Sequence, residues 1–252
     1  MFDLQRASMW KRISAFLFDF ILLIILAVLF GWLLSALTGY YGYSQTVADS
    51  YLRYGEEYQV DMRISQDEYD ALPEEEARKV DAAFEALNQD QQALHAHEMM
   101  LNLSVLIISL GFFFAYLGLE FLVPLRLGDG QTLGKKIFGV GLMKTEGIKI
   151  NPVSLFIRTV LGKYTIETMI PVLIILMIYW GTIGVVGPTV LLLILLTEII
   201  LMFATRNHSL IHDLLAGTVA IDEASQKIFN TPEEMATYKA KIHAEMAAQA
   251  KD

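Results

Sequence analysis

Long runs of apolar residues dominate the pattern along the chain. Four runs stand out, at residues 13–37, 101–125, roughly 166–180 and roughly 185–204. A helix needs about 20 apolar residues to cross the hydrocarbon core of a bilayer, and the first two runs meet this length easily. The last two runs are shorter and are separated by the turn GTIGVVGP, so we interpret them as a tight helical hairpin rather than a re-entrant pair. The pattern predicts four transmembrane helices.

A polar, acidic segment at residues 39–98 interrupts this pattern. It contains fourteen acidic and four basic residues. Ser65 followed by Glu68 predicts a capping box. Pro73 can open a helix that has three apolar residues on one face: Val80, Phe84 and Leu87. We expect a small helical cap that runs into the second span, with a solvated acidic surface; a vestibule that concentrates cations is the alternative.

The segment between the second and third runs has shorter patterns. The stretches VGLMK and IKI, on either side of residues 145–147, predict a short β-hairpin. Between residues 152 and 163 apolar residues recur at helical spacing, with Arg158 and Lys163 among them. This is typical of an amphipathic helix lying at the membrane interface. The Gly-rich stretch GDGQTLGKK lacks the spacing of a phosphate-binding loop, so we exclude nucleotide binding.

Composition and charge support a membrane protein. The chain has 252 residues, of which 54% are hydrophobic, and no cysteine. Its mean hydropathy of +0.44 excludes an ordinary soluble domain. Basic residues precede the first run and recur between the second and third runs, so both segments are predicted to be cytoplasmic by the positive-inside rule. Four spans return the C-terminus to the same side.

We therefore predict an all-α polytopic membrane protein with four transmembrane helices, a helical extracytoplasmic insertion, a short cytoplasmic β-hairpin and an interfacial amphipathic helix. Its expected segments are a cytoplasmic N-terminus (1–12), transmembrane helix 1 (13–38), the acidic extracytoplasmic insertion (39–98), transmembrane helix 2 (99–126), the cytoplasmic hairpin and interfacial helix (127–163), transmembrane helices 3 and 4 (164–205), and a cytoplasmic C-terminal segment with a tail helix (206–252).

Three separated motifs occur in order along the chain: Arg12 with Asp19, then GQTLGKKIFGVGL, then SLIHDLLAGTVAI. Together they resemble the RDD family of prokaryotic membrane proteins, named for an arginine and two aspartates. Arg12 at the mouth of the first helix and Asp19 within it match the first two positions. GQTLGKKIFGVGL resembles the segment that follows a transmembrane helix in the family, and Arg158 falls where the family often has an arginine. SLIHDLLAGTVAI resembles the C-terminal signature, which makes Asp213 the best match for the second aspartate.

The resemblance covers about residues 8–37 and 100–221. It implies a multi-pass protein of the prokaryotic cytoplasmic (inner) membrane, with both termini in the cytoplasm as the charges indicate. A few members of the family are linked to sodium–proton antiport, so the resemblance makes that activity an expectation to test.

Three carboxylates lie within the apolar runs. With a rise of about 1.5 Å per residue, Asp19, Glu120 and Glu198 lie roughly 9, 8 and 10 Å from the predicted cytoplasmic ends of their spans. All three are therefore expected at a similar depth in the cytoplasmic leaflet. Glu167, at the start of the third helix, is expected nearest the surface. A charge at the bilayer centre costs about 2.5–3.5 kcal/mol, and such groups usually face a cavity or pathway. Compensating charge can come from four basic residues: Arg12, Arg158, Lys163 and Arg206.

Structural roles remain open for several of these residues. Arg12 and Asp19 are two helical turns apart on one face, so their pairing can simply maintain helix register. Asp213 can cap the turn that follows it or bind Arg158. His212 is interpreted as an ordinary surface histidine. Asp19 is predicted to face the bundle interior, held by Arg12 or another basic group.

Two functions from different classes follow. The first is monovalent cation/proton (sodium/proton) antiport, with Asp19, Glu120 and Glu198 as the cation and proton site. Four residues are then gate or structural charge partners: Arg12, Arg158, Asp213 and Glu167. Four spans are few for alternating access in one chain, so we expect a homo-oligomer.

The alternative is a non-transporting membrane scaffold or accessory subunit. It would bind its partners through the acidic cap and through a tail helix with one apolar stripe: Met235, Tyr238 and Ile242. The sequence shows no nucleophile motif, cofactor loop or His-rich metal site, so we predict no enzyme activity, no catalytic residue and no cofactor. The expected partners are the lipid bilayer, monovalent cations and protons, but not nucleic acid.

Overall fold

The computed structural model describes residues 5–205 and 207–249, so Arg206 lies outside the described residues. In this part of the chain four helices are long and apolar enough to cross a membrane: Met9–Thr38, Gln91–Leu127, Pro152–Tyr179 and Val186–Ala204. Spanning helices satisfy their backbone hydrogen bonds locally, which hydrocarbon surroundings require. The predicted all-α polytopic membrane fold is confirmed.

Residues 29–111 form one compact unit that contains the insertion. Its helices, besides the end of α1 (Met9–Thr38), are α2 (Tyr40–Tyr58), α3 (Gln66–Asp70), α4 (Glu74–Gln89) and α5 (Gln91–Tyr116), which continues into the second span. The predicted capping box is present: Ser65 caps α3, and its backbone N–H donates to Glu68 Oε2 at 2.8 Å. Pro73 immediately precedes α4. The predicted apolar face of α4 is confirmed, because Leu87 lies in a buried cluster with Met62, Ala83 and Ala93.

The described residues within 1–28 and 112–252 form the second compact unit, which contains the candidate functional site. After α5 the chain continues through a π-helical segment, π1 (Leu117–Leu122), into α6 (Val123–Leu127), α7 (Leu133–Ile137), β1 (Val140–Lys144), α8 (Pro152–Phe156), a second π-helical segment, π2 (Ile157–Met169), α9 (Ile170–Tyr179), α10 (Val186–Ala204), α11 (Ile211–Ala216), β2 (Thr218–Asp222) and α12 (Pro232–Gln249).

The interfacial helix predicted at residues 152–163 is not a separate element. Asn151 caps α8, accepting the Ser154 N–H at 2.7 Å, and the chain then stays helical through π2 and α9 to Tyr179. No helix-breaking turn separates the two parts, so they form one long helix. Arg158 is only 3% exposed in it, so it is buried within the protein.

The predicted local hairpin is also corrected. Strand β1 pairs antiparallel with the distant β2, from Val140 opposite Asp222 to Lys144 opposite Thr218. The turn at residues 145–147 contributes a single bridge between Met143 and Lys149. Four positions in a row are buried in both strands. An apolar partner such as β2 covers β1 better than the lysine-containing IKI segment can.

Candidate functional site

A cavity of about 280 Å³ lies between α1, α7, α11 and the two π-helical segments. Its lining includes four basic side chains (Arg12, Lys135, Arg158 and Lys163), four acidic ones (Asp19, Glu120, Glu167 and Asp213) and His212. Apolar side chains such as Phe16, Phe20 and Leu23 complete the wall. With His212 neutral, the formal charges of these described lining residues cancel.

Asp19 lines this cavity, but Arg12 does not hold it. The Thr132 hydroxyl donates to Asp19 Oδ2 at 2.5 Å, and the Gly134 backbone N–H donates to Oδ1 at 2.7 Å. Thr132 is also the N-cap of α7 and accepts the Lys135 N–H. A side chain at Gly134 would overlap the Ala15 carbonyl oxygen and the Asp19 carboxylate. The glycine therefore lets the start of α7 pack directly on α1, which places two neutral donors on Asp19.

Glu120 lies on π1 and is only 7% exposed. The Lys163 ammonium on π2 is 2.5 Å from Glu120 Oε1, and the Thr159 hydroxyl donates to the Glu120 carbonyl oxygen at 2.9 Å. The Glu120 charge is therefore compensated by a neighbouring helix. Glu120 also interacts electrostatically with Asp19, which shares the cavity.

The π-helical geometry of π2 explains why its charged residues share one face. In an α-helix of about 3.6 residues per turn, Arg158 and Glu167 would lie on nearly opposite sides. A π-helix bonds residue i to i+5 and has about 4.4 residues per turn, so nine positions make about two turns. Both side chains, and Lys163 between them, reach the cavity.

Arg158 and Asp213 form a buried ion pair at the centre of a network. The Arg158 Nη1 group also donates to the Thr218 hydroxyl at 2.9 Å, and that hydroxyl donates to Asp213 Oδ1 at 3.0 Å. Arg12 lies 3.8 Å from Asp213 Oδ2 and donates to the His208 carbonyl oxygen at 2.8 Å. Burial acts to raise the pKa of Asp213, but the groups around it, Arg158 first and then His212 and Arg12, together hold the pKa below its ordinary value. Of the two roles considered for Asp213, the structure shows binding to Arg158.

His212 is buried, so the prediction of a surface histidine is wrong. Its Nδ1 lies 2.7 Å from both carboxylate oxygens of Glu167, and its Nε2 lies 2.9 Å from Arg158 Nη2. Because arginine can only donate, Nε2 accepts, and the neutral ring carries its proton on Nδ1. Burial and the Arg158 charge lower the pKa of His212, which favours this neutral form. A side chain at Gly162 would overlap His212, so π2 and α11 are in direct contact.

Glu198 does not join Asp19 and Glu120 among the residues that line the cavity. It lies on α10, where it interacts electrostatically with Glu167 and Asp213. Both of its carboxylate oxygens are buried, close to the Ile211 backbone and the Glu167 carboxylate. The structure thus brings Asp19 and Glu120 together at the cavity, whereas Glu198 lies outside its lining and interacts with Glu167, which does line it.

Sequence reasoning missed the roles of Thr132 and Lys135. The signal was present, since a threonine followed by a short helical stretch is a typical N-cap. From the sequence, Lys135 was only part of the Gly-rich stretch GDGQTLGKK and one of several basic residues on the predicted cytoplasmic side. Across residues 5–205 and 207–249 no group of three or more His, Cys, Asp or Glu side chains is arranged to hold a metal ion.

Four spanning helices and a buried cluster of balanced charges define a multi-pass membrane protein with an ionisable cavity. The model of the RDD family matches residues 6–217, and the chain therefore belongs to the RDD family. Comparisons with curated proteins and with solved structures gave no match. The matched region contains all the charged residues described at the cavity, from Arg12 to Asp213.

Proposed function

We propose that this protein exchanges a monovalent cation, sodium first among those to test, for protons across the membrane. One observation carries the proposal. Asp19 lies on a spanning helix and lines the cavity, and its only hydrogen-bond donors in the described structure are the neutral groups of Thr132 and Gly134. No lysine or arginine of the described residues lies within 4.0 Å of this carboxylate. Carboxylate oxygen is a suitable ligand for a hard cation.

The other charged residues support this role for Asp19. Glu120 adds a second negative charge to the same cavity while Lys163 compensates it. Arg12, Arg158 and Asp213 connect the cavity wall from α1 to π2 and α11. The proposed cation site therefore centres on Asp19 and Glu120. Glu198 lies outside the cavity lining and interacts with Glu167.

The membrane and the subunit arrangement are part of the proposal. The basic segments beside the first span and around α7 favour an orientation with both termini inside, and membership of the RDD family favours the cytoplasmic membrane of a prokaryote. Four spans favour an oligomer. A protease added to intact cells with a permeabilised outer membrane should cut within residues 39–98 and spare the GDGQTLGKK segment. Cleavage in that segment would reverse the proposed orientation.

The transport activity can be tested in vesicles that contain only the purified protein and an internal pH-sensitive dye. An inward sodium, potassium or lithium gradient should drive saturable proton efflux. Asp19→Asn keeps the shape of the side chain but removes its charge, so we expect at least a tenfold loss of flux in correctly folded protein. Glu75→Gln is the matched control, because Glu75 is an exposed carboxylate of the insertion.

Two results would contradict the proposal. Full flux in Asp19→Asn would remove Asp19 from the site. Absence of flux in the wild-type protein, with all three cations and at several pH values, would favour the scaffold alternative.

A further inference from the structure

Lys135 differs from the other basic residues of the cavity. Arg12 and Arg158 contact Asp213, and Lys163 contacts Glu120. In the described part of the chain, the Lys135 ammonium has no carboxylate within 4.0 Å and no hydrogen-bond partner for its Nζ. It nevertheless lines the same cavity as Asp19.

The start of α7 places Lys135 and Asp19 in a defined relation. Thr132 and Gly134 bind the Asp19 carboxylate, and Lys135 is the next residue of the same short helix. A positive and a negative side chain without ionic partners thus share one enclosed space. The groups that act on the Lys135 ammonium come from several elements: Asp19 on α1, Glu120 on π1, and Arg158 and Lys163 on π2.

We infer that the Lys135 ammonium and the transported cation are alternative counter-charges for Asp19, so that one proton is exchanged for one monovalent cation without net charge movement. This inference rests on the proposed function and specifies its stoichiometry and its proton carrier. With Lys135 charged, the described lining residues are formally neutral. With Lys135 uncharged they carry one negative charge, which a single monovalent cation neutralises.

The chemical step is a simple proton transfer. When the cation binds to Asp19, one N–H bond of the Lys135 ammonium breaks, the electron pair stays on Nζ, and the proton passes to water. When the cation leaves, Nζ takes a proton from water and the ammonium is restored. The cavity therefore holds one exchangeable positive charge, either the Lys135 ammonium or the bound cation, before and after each half of the cycle.

The environment of Lys135 suits an exchange near neutral pH. Burial, together with the charges of Lys163 and Arg158, lowers the pKa of Lys135 to about 7. Below that pH the ammonium form competes with the cation, so the apparent cation affinity should fall by about tenfold per pH unit. Above it, the affinity should become independent of pH.

Calorimetry of the purified full-length protein in micelles, with sodium chloride as the probe, tests the inference. Titrations in buffers of different ionisation enthalpy give the number of protons released per cation bound, which we expect to approach one in the wild-type protein at pH 6. Lys135→Gln should bind sodium with no proton release and no pH dependence between pH 6 and 8. Lys135→Arg, which keeps its charge, should weaken sodium binding at every pH. Lys136→Gln is the matched control, since Lys136 is the exposed neighbour of Lys135 and should behave like the wild type.

Vesicle flux provides a second measurement that does not depend on the variants. Exchange by the wild-type protein should have the same rate with and without an imposed membrane potential. A potential-dependent rate, or a proton release that persists in folded Lys135→Gln, overturns the inference while the proposed antiport stands. If the wild-type protein binds none of the tested cations, the proposed function and the inference are overturned together.

Discussion

Ion pairs in the insertion and ion pairs around the cavity use the same chemistry in opposite surroundings. On α4, Arg78 lies 2.6 Å from Glu74, with side chains that are 75% and 84% exposed. Around the cavity, Arg158 and Asp213 pair with side chains that are 4% and 2% exposed. The first pair joins neighbouring turns of one helix, whereas the second joins residues on π2 and α11.

The contrast indicates what each pair does. Water and salt screen an exposed pair, which therefore contributes little to stability. A buried pair gains less than its attraction suggests, because both ions lose their hydration, but the loss of one partner leaves an uncompensated charge. The buried pair thus makes the position of π2 depend on α11. Loss of the exposed pair should leave the fold of the insertion almost unchanged.

The largest effect is expected for Asp213→Ala. This change leaves the buried Arg158 guanidinium without its main partner and should destabilise the protein by about 3–5 kcal/mol. The measurement is the denaturation midpoint in detergent micelles. Replacing both partners, with Arg158→Met and Asp213→Leu, should recover part of the loss. If Asp213→Ala costs no more than an exposed pair, the buried network is not a structural element.

Gly162→Ala tests the contact between the same two elements without changing any charge. The added methyl group would overlap His212, and such overpacking costs about 1–3 kcal/mol. Gly118→Ala on π1 is the matched control, because its new methyl group would lie 3.5 Å from Leu26 Cδ2, at ordinary contact distance. Equal stability of the two variants would show that π2 and α11 are not closely packed.

Acidification should destabilise the compact unit that contains the cavity, because His212 is buried in its neutral form. Since the folded protein lowers the pKa of His212, the unfolded chain binds more protons, and stability falls as the pH drops through the unfolded value of about 6.5. The contribution is at most about 1.4 kcal/mol per pH unit. His212→Asn keeps a donor near Glu167 but cannot titrate, so its stability should depend less on pH between 7 and 5. An unchanged pH profile in this variant would assign the effect to other groups.

Arg78→Ala should have the smallest effect. The exposed pair with Glu74 spans one helical turn, and such pairs contribute about 0.3–0.5 kcal/mol. The loss should disappear in 1 M salt, where surface attraction is screened. A loss comparable to that of Asp213→Ala would remove the distinction between the two regions.

The insertion was the most predictable region because its signals are local. Ser65 and Glu68 form the predicted capping box, and Pro73 precedes α4 as expected. A cap depends on residues three positions apart, so the chain determines it without help from distant segments. The same holds for the spans, whose apolar runs must satisfy their own backbone in lipid.

The cavity was less predictable because its contacts join distant residues. Asp19 was expected to face the interior and does so, but its partners are Thr132 and Gly134 rather than Arg12. A spacing of seven residues indicates which side chains share a helix face, and it cannot indicate what packs against that face.

The sequence by itself determined the four spanning helices, the helical insertion and the membership of the RDD family, because hydrophobic length, capping and motif order are properties of the chain. Only the tertiary structure decided the pairing of β1 with β2, the burial of His212 and the separation of Glu198 from the other two carboxylates. It also decided the π-helical register that turns Arg158, Lys163 and Glu167 to one side. A prediction from residue spacing assumes the period of an α-helix. Where the chain forms the wider turn of a π-helix, the same residues face a different neighbour.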